Sequence, residues 1–224
     1  MRKFLNLNKT TQIKTILAAA DEHKLISHAI EKDLWVTTTL QALFSLPVSE
    51  HLVFKGGTSL SKAWNLIERF SEDIDVAMDS ILLGVPYGNL TKKQLKKLRK
   101  ASSLYVHDDL TVMLKNRFCE MGLSDWISVE PQPNGEGDAT YPEPRQIYVR
   151  YHSVLPNVNG YLRSDIVLEV SARSLFEPMS KVKVKSLLSD TINLNDICSP
   201  DTFSFQLLKK GSSLISQAAE AEGK

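Results

Sequence analysis

The chain has 224 residues, of which 42% are hydrophobic and 24% charged, and its formal net charge is +1. This length and composition suit one medium domain with a sizeable core, and the small net charge excludes binding of nucleic acid by the surface as a whole. Two unpatterned cysteines and five scattered histidines disfavour a disulfide framework and a zinc site. Neither a signal-peptide core nor an apolar run of membrane-spanning length is found, so we expect a cytoplasmic protein.

Two helices are predicted before the first strand. Apolar residues recur at helical spacing over residues 9–24 and again over residues 27–46. The second helix carries Lys32, Asp33 and Trp35, for which two interpretations stay open. They form a surface ion pair beside a packed indole, or Lys32 lines a ligand cleft.

The next stretch is a strand that ends in a double glycine, Gly56-Gly57, followed by a helix that opens with Thr58 and Ser59. Glycines let backbone N–H groups approach a phosphate closely, and a helix N-terminus adds donors and a favourable dipole. These four residues are therefore predicted to cradle a phosphate. The candidate sources of positive charge, each of which also reads as a surface residue, are Lys55, Lys62 and Arg69.

Two aspartates begin the strand after that helix. Because side chains at i and i+2 of a strand share a face, Asp73 and Asp75 point to one side while Ile74 and Val76 point to the core. Paired carboxylates repel each other unless a cation lies between them, and hard oxygen ligands suit Mg²⁺ or Mn²⁺. A phosphate cradle beside paired acids is what metal-assisted phosphoryl or nucleotidyl transfer requires.

A long amphipathic helix is predicted from residue 91 to about 119, and its first turns are strongly basic. This charge is either a solvated face, which is the favoured interpretation, or a patch that holds the backbone of an RNA acceptor. Residues 130–145, rich in proline and glycine, form a long connection that is either a plain hairpin tip or a lid over the cleft. The six basic residues are Lys92, Lys93, Lys96, Lys97, Arg99 and Lys100.

A third acidic candidate lies in the predicted strand over residues 165–171. Alternation places Asp165, Val167, Glu169 and Ser171 on one face. A carboxylate in the middle of an otherwise apolar strand is costly unless it is paired or metal-bound, which favours Glu169 as a ligand. Asp165 is the competitor, but its place at the start of the strand favours a capping or solvent-facing role.

Residues 56–58, a helix, and the Arg-Phe-Ser-Glu-Asp-Ile-Asp stretch at 69–75 together resemble the AbiEii-type nucleotidyltransferases. These are toxins of type IV toxin–antitoxin and abortive-infection systems within the DNA polymerase β-like superfamily. Residues 30–37 are similar to the N-terminal signature of that family. The resemblance covers most of the chain up to about Thr202.

The resemblance implies an α/β (α+β) fold, with N-terminal helices and a mixed sheet of about four or five strands on which helices pack. Residues 1–202 would form the nucleotidyltransferase-like domain. Similar proteins continue into a helical region with a Lys…Arg pattern and an Arg-Asp-x-x-Asp-like motif, and neither is found here. We therefore expect residues 203–224 to be a divergent, truncated or disordered tail. We also expect this form to bind an NTP through residues 56–59 but to transfer its nucleotide weakly or not at all.

The implied reaction moves a nucleoside monophosphate from an NTP to an RNA or protein acceptor, and a cognate antitoxin is the implied partner. Asp73, Asp75 and Glu169, the last at the position of the third acid in the family pattern, would be catalytic and hold one or two Mg²⁺ ions. One ion would lower the pKa of the acceptor hydroxyl and the other would neutralise the leaving pyrophosphate. Arg173 matches a basic residue common in the family. The alternatives are a catalytically impaired NTP-binding or partner-binding module, and a metal-dependent phosphodiesterase or nuclease.

Overall fold

The computed structural model describes residues 1–63, 73–135, 140–156, 165–172, 179–190 and 203–208. The helices are α1 (Arg2–Leu5), α2 (Lys9–His23), α3 (Ser27–Phe44), α4 (Gly56–Lys62), α5 (Lys92–Leu104), α6 (Thr111–Glu120) and α7 (Leu187–Asp190). The strands are β1 (Leu52–Lys55), β2 (Ile74–Met78), β3 (Ile127–Pro131), β4 (Arg145–Tyr151), β5 (Asp165–Ser171), β6 (Met179–Val184) and β7 (Phe203–Leu208). Among these helices none is long and apolar enough to cross a membrane.

The two predicted N-terminal helices are present as α2 and α3. The side chain of Asn8 caps α2 by accepting a hydrogen bond from the Thr11 amide at 2.9 Å, and α2 ends at Lys24, which adopts a left-handed conformation with φ of 54°. In α3, three consecutive threonines donate their hydroxyls to carbonyls four residues earlier. The hydroxyls are satisfied within the helix, so α3 can be buried on nearly all sides.

The predicted long helix is continuous from α5 to α6 but contains a π-helical segment, Tyr105–Leu110. At its N-terminus Thr91 and Gln94 form a reciprocal capping box, which explains why the helix begins there. The widened turn of the π segment is accompanied by a hydrogen bond from the Thr111 hydroxyl to the Val106 carbonyl at 2.7 Å.

The sheet is mixed, as predicted, but it has seven strands in the part of the chain that the structure describes, in the order β3-β4-β5-β2-β1-β7-β6. The prediction of about four or five strands missed β6 and β7, which pair with each other in antiparallel orientation at one edge. β7 joins the rest of the sheet by running parallel to β1. This pairing joins residues about 150 positions apart, and local sequence patterns do not encode such a contact.

β7 also bears on the predicted tail. Its residues, Phe203–Leu208, begin where the tail was expected to start, and they form a strand inside the sheet. The description of the tail as disordered is therefore wrong for these six residues. Residues 209–224 lie outside the described residues, and the division of the chain at residue 202 stays a prediction.

The sheet has two different faces. On one face, apolar side chains from the central strands contact α3, α5 and α6 and form a continuous core. We call this side of the sheet the packed face. On this face the indole of Trp35 stacks on the ring of Tyr151, with centroids 5.4 Å apart. The strands contribute Phe54, Ile74, Val76, Ile147, Leu168 and Val170 to this core, and α5 and α6 contribute Leu98 and Leu114.

The connection between β3 and β4 was predicted as a hairpin tip or a lid. Its described residues dock on α5: the guanidinium of Arg145 donates to the Ser103 hydroxyl at 2.7 Å and to the Asn134 side-chain oxygen at 2.9 Å. The Lys100 ammonium lies 5.3 Å from the ring centroid of Tyr141. These contacts are on the packed face, so the described part of the connection is not a lid over the acidic residues.

Candidate active site

Two carboxylates from adjacent parallel strands lie side by side. Asp75 of β2 is in register with Glu169 of β5, and in-register residues on neighbouring strands project from the same face. Lys55 of β1 is in register with Asp75 on the other side, and Gln146 of β4 is in register with Glu169. We call these four residues the polar row. The side of the sheet that carries the polar row and Tyr148 is called the polar face.

The double-glycine turn lies directly against this row. Gly56 has a φ of +73°, and a Cβ added to it would lie 1.9 Å from Oδ2 of Asp75. Both the left-handed backbone and the lack of space therefore require glycine here. The turn predicted to cradle phosphate is thus in contact with Asp75, one of the three predicted metal ligands.

The hydroxyls of the same turn face inward. Thr58 donates to the Asp73 carbonyl, and Ser59 donates to the Gly56 carbonyl at 3.0 Å; both residues are buried. Both residues were predicted to belong to the phosphate cradle, and in this structure their side chains fix the turn and the main chain of Asp73. The first N–H groups of an α-helix have no acceptor within the helix, and such groups are common donors to phosphate.

Lys62 forms a buried ion pair with Asp33 of α3, in which each side chain is only 8% exposed. The second carboxylate oxygen of Asp33 accepts a hydrogen bond from the Leu187 amide at 2.7 Å. The predicted surface ion pair at Asp33 is therefore wrong, because Asp33 is buried and its partner belongs to α4. Lys62, a predicted nucleotide ligand, points to Asp33, which compensates its charge.

The rest of that N-terminal stretch is also buried. The Glu31 carboxylate accepts hydrogen bonds from the Ser153 hydroxyl at 2.6 Å and the Val154 amide at 2.7 Å. Burial raises the pKa of the Glu31 carboxyl, and these two hydrogen bonds oppose the rise. Lys32 and Trp35 lie in the same buried part of α3, so these residues fasten α3 to the rest of the fold.

The charged side chains of the polar row affect the pKa of Asp75. Burial raises the pKa of the Asp75 carboxyl; the Lys55 ammonium opposes this, whereas the carboxylates of Glu169 and Asp73 raise the pKa further. Asp73 itself is exposed and immediately precedes β2. The charges of Glu169 and Asp73 thus both act on the Asp75 carboxyl, and a bound cation would relieve this repulsion.

The donor set fits a hard cation. Within the described residues no three His, Cys, Asp or Glu side chains are already arranged as a metal site, so the predicted convergence of three carboxylates is not seen. Mg²⁺ needs no such cage, because it is usually bound by one or two carboxylates together with substrate phosphates and water. Asp75 and Glu169 are the two carboxylates that would hold such an ion, and Asp73 lies exposed immediately before β2.

Other predicted residues are not brought to this row. Leu98 of α5 belongs to the core of the packed face, so the basic residues 92–100 lie on the side of the sheet opposite to Asp75. Asp165 is four residues from Glu169, about 13 Å along β5, and it is in register with Arg150. Arg69 and Arg173 lie outside the described residues.

Sequence reasoning missed two residues of the polar face. The Gln146 side-chain amide donates to Oε1 of Glu169 at 2.7 Å, and the Tyr148 hydroxyl donates to Oε1 of Gln146 at 2.8 Å. The available signal was the alternation of β4, in which Gln146 and Tyr148 fall on the side away from the core. Their contact with Glu169 depends on the register between β4 and β5, which one sequence does not reveal.

A protein-family model, described as the nucleotidyl transferase AbiEii toxin of the type IV toxin–antitoxin system, matches residues 39–207. The chain belongs to the AbiEii family. The matched range contains the double glycine, Asp73, Asp75 and Glu169, and it confirms the resemblance seen in the sequence. It begins after residues 30–37 and extends to residue 207, within β7. No curated protein gives a significant match to the chain.

Membership makes the chain part of a family of nucleotidyl transferases that act as toxins. The expected mixed α/β architecture agrees with this assignment. The roles of individual residues, the metal and the acceptor are not given by the family match, and they belong to the proposal that follows.

Proposed function

We propose that this chain is a metal-dependent nucleotidyltransferase that moves a nucleoside monophosphate from an NTP to an RNA or protein acceptor. One observation carries the proposal: Asp75 and Glu169 are in register on adjacent strands, and Gly56 leaves no room for a side chain against the Asp75 carboxylate. Family membership supports nucleotidyl transfer, an NTP substrate and a cognate antitoxin. The proposal places the toxin in the cytoplasm, where NTPs are supplied, as part of a toxin–antitoxin or abortive-infection system.

The glycine turn and the acidic residues have separate roles in this proposal. The backbone N–H groups that follow Gly56 and Gly57 bind the triphosphate, which approaches closely because glycine has no side chain. Asp75 and Glu169 would hold Mg²⁺ or Mn²⁺, and Asp73, which is exposed immediately before β2, would add a third oxygen donor once the ion is bound. The ion, when bound, would lower the pKa of the acceptor hydroxyl and neutralise charge on the leaving pyrophosphate.

Inward-facing side chains support this arrangement without contacting the substrate. Thr58 holds the main chain of Asp73, and Ser59 closes the turn on the Gly56 carbonyl. Both restrict the backbone next to the acids, and small misplacements of reacting groups can cost about a hundredfold in rate. Lys62 contributes by anchoring α4 to Asp33.

The acceptor is proposed to reach the polar face. Basic residues of α5, such as Lys93 and Lys97, lie on the opposite side of the sheet, so an RNA that contacted them would have to pass around an edge of the sheet to reach Asp75. In this proposal α5 makes at most remote contacts to an RNA backbone. The reacting end of the acceptor is positioned by residues of the polar face.

The test is calorimetry with an NTP in the presence and absence of Mg²⁺. Wild-type protein should bind the NTP with an Mg²⁺-dependent component, and Asp75→Asn and Glu169→Gln should each remove that component. Asp165→Asn is the matched control, because it neutralises a carboxylate of the same strand about 13 Å from Glu169. Unchanged NTP affinity in both neutralised variants would contradict the metal site.

Transfer of label from an NTP to total RNA or protein then separates the candidate functions. Mg²⁺-dependent labelling that Asp75→Asn abolishes supports the nucleotidyltransferase. Mg²⁺-dependent NTP binding without labelling supports a catalytically impaired binding module. Cleavage of nucleic acid that needs no NTP supports a phosphodiesterase or nuclease, and in that case the glycine turn would have no triphosphate to bind.

A further inference from the structure

A chain of two hydrogen bonds ends on Glu169. The Tyr148 hydroxyl donates to the side-chain oxygen of Gln146 at 2.8 Å, and the Gln146 side-chain nitrogen donates to Oε1 of Glu169 at 2.7 Å. All three side chains are half-buried on the polar face. Gln146 and Glu169 are in register across β4 and β5, so the second bond links directly opposed residues.

The direction of this chain is determined by chemistry. An ionised carboxylate only accepts hydrogen bonds, so the nitrogen of the Gln146 amide must face Glu169 and its oxygen must face away. The Tyr148 hydroxyl then has an acceptor, and it donates. Reversing the amide would place an oxygen against the carboxylate and an N–H₂ group against the hydroxyl, and the bond to Glu169 would be lost.

The main chain of Gln146 is also fixed by hydrogen bonds. Its main chain pairs with Gln132: the Gln132 amide donates to the Gln146 carbonyl at 2.9 Å, and the Gln146 amide donates to the Gln132 side-chain oxygen at 3.2 Å. With the backbone fixed at one end and the amide fixed by Tyr148 at the other, Gln146 offers Glu169 a donor in one place.

We propose that Gln146 is a positioning residue that holds the Glu169 carboxylate in the orientation used to bind a divalent cation, and that Tyr148 acts through Gln146. The inference rests on the proposed function, in which Glu169 is a ligand of that cation. The bond from Gln146 takes one lone pair of Oε1 and restricts rotation of the carboxylate, so the remaining lone pairs are presented to the cation in a fixed arrangement. Hydrogen-bond partners of metal-ligating carboxylates act in this way.

The test uses the full chain and Mn²⁺ as the probe, with affinity measured by electron paramagnetic resonance in the absence of NTP. Gln146→Leu removes the donor and keeps a side chain of similar size, and it should weaken Mn²⁺ binding by about tenfold or more. Tyr148→Phe removes only the hydroxyl and should weaken binding less. Ser128→Ala, on the same sheet face in β3 and exposed, is the matched control and should bind as wild type does.

The double variant distinguishes a chain from two separate contributions. If Tyr148 acts through Gln146, then Tyr148→Phe should have no further effect on Mn²⁺ affinity in the Gln146→Leu background. General loss of packing would instead give effects that add. Independent, additive losses would overturn the role assigned to Tyr148.

The remaining outcomes are also decisive. Equal Mn²⁺ affinity in wild type and Gln146→Leu overturns the positioning role while leaving the proposed function intact. Absence of Mn²⁺ binding in the wild type both without and with a bound NTP contradicts the proposed function itself. If Gln146→Leu does not fold, Tyr148→Phe alone decides, because a single hydroxyl is removed and wild-type affinity in that variant overturns the inference.

Discussion

Two pairs of charged residues show how differently the molecule treats buried charge. At the contact between α3 and α4, Asp33 faces Lys62, and the pair is almost completely excluded from solvent. On the polar face, Asp75 faces Glu169 across adjacent strands, and burial and the neighbouring acids raise the pKa of Asp75. The first carboxylate has a cation from the chain itself, whereas the second has another carboxylate beside it.

The Asp33–Lys62 pair stabilises the fold, whereas the Asp75–Glu169 pair is of the kind found at functional sites. A carboxylate that is desolvated beside another carboxylate makes the fold less stable, and such groups concentrate at sites where proteins bind cations or perform chemistry. Lys55 lowers the pKa of the Asp75 carboxyl, but burial and the charges of Glu169 and Asp73 raise it, and the net shift is upward. In the proposed function, the cation at Asp33 is Lys62 of the chain itself, whereas the cation at Asp75 is bound from solution.

The largest expected effect on stability lies at the compensated pair. Lys62→Met should lower the free energy of unfolding by about 3–5 kcal/mol, because it leaves the Asp33 carboxylate buried without its cation. Urea denaturation measures this, with Asp33→Leu/Lys62→Met as the control. The double variant should recover part of the loss, since two apolar side chains replace the buried pair. Wild-type stability of Lys62→Met would contradict the structural role and return Lys62 to the list of ligand candidates.

The next largest effect on stability is expected at Gly56, the glycine that contacts Asp75 of the polar row. Gly56→Ala introduces a Cβ 1.9 Å from the Asp75 carboxylate at a φ of +73°. Gly84 has nearly the same φ, +68°, but nothing lies within 4 Å of its added Cβ, so Gly84→Ala isolates the backbone strain. We expect Gly84→Ala to cost about 1–2 kcal/mol of stability and Gly56→Ala to cost about 1–3 kcal/mol more.

Only Gly56→Ala should also abolish Mg²⁺-dependent NTP binding, because only that substitution displaces Asp75. Calorimetry on both variants at a temperature where they remain folded provides the comparison. Equal NTP affinity in the two alanine variants would show that the turn and the Asp75 carboxylate are not coupled.

Much of this site could be predicted because its signals are local. Alternation over residues 73–76 predicted that Asp75 points away from the core, although β2 begins at Ile74 and Asp73 immediately precedes it. The position of Glu169 in the middle of β5 distinguished it from Asp165. The double glycine before a helix indicated a close backbone approach. Helices α2 and α3 followed from their apolar periodicity.

The rest depends on contacts between distant parts of the chain. Lys62 and Asp33 are 29 residues apart, so no local pattern could assign a structural partner to the charge of Lys62. Gln146 meets Glu169 only because β4 and β5 pair in one particular register. β7 was taken for part of a tail because its place beside β1 is decided by tertiary pairing and not by local propensity.

A smaller effect on stability is expected at Glu31, whose carboxylate accepts hydrogen bonds from the neutral Ser153 hydroxyl and Val154 amide. The pKa of Glu31 is raised above 4.5, mainly by burial, so the folded state binds its proton more tightly than the unfolded state does. The stability that Glu31 contributes is therefore complete below its unfolded pKa and decreases as the pH rises through the folded pKa. Unfolding of Glu31→Gln measured between pH 4 and pH 7 should show a variant that gains stability relative to wild type as the pH rises. A stability difference that does not vary with pH would contradict the raised pKa.

The smallest effect should come from the basic helix. Lys93, Lys96 and Lys97 are exposed on α5, which packs on the opposite side of the sheet from Asp75, and charges more than about 10 Å apart in solvent are largely screened at moderate salt. Replacing these three lysines by glutamine should change Mg²⁺-dependent NTP affinity by less than about twofold, while Asp75→Asn removes it. A loss in the triple variant comparable to that in Asp75→Asn would mean that α5 reaches the bound nucleotide, and the separation between the packed and polar faces would be wrong. Weaker RNA binding with unchanged NTP affinity would instead locate an acceptor contact on α5, remote from the site of transfer.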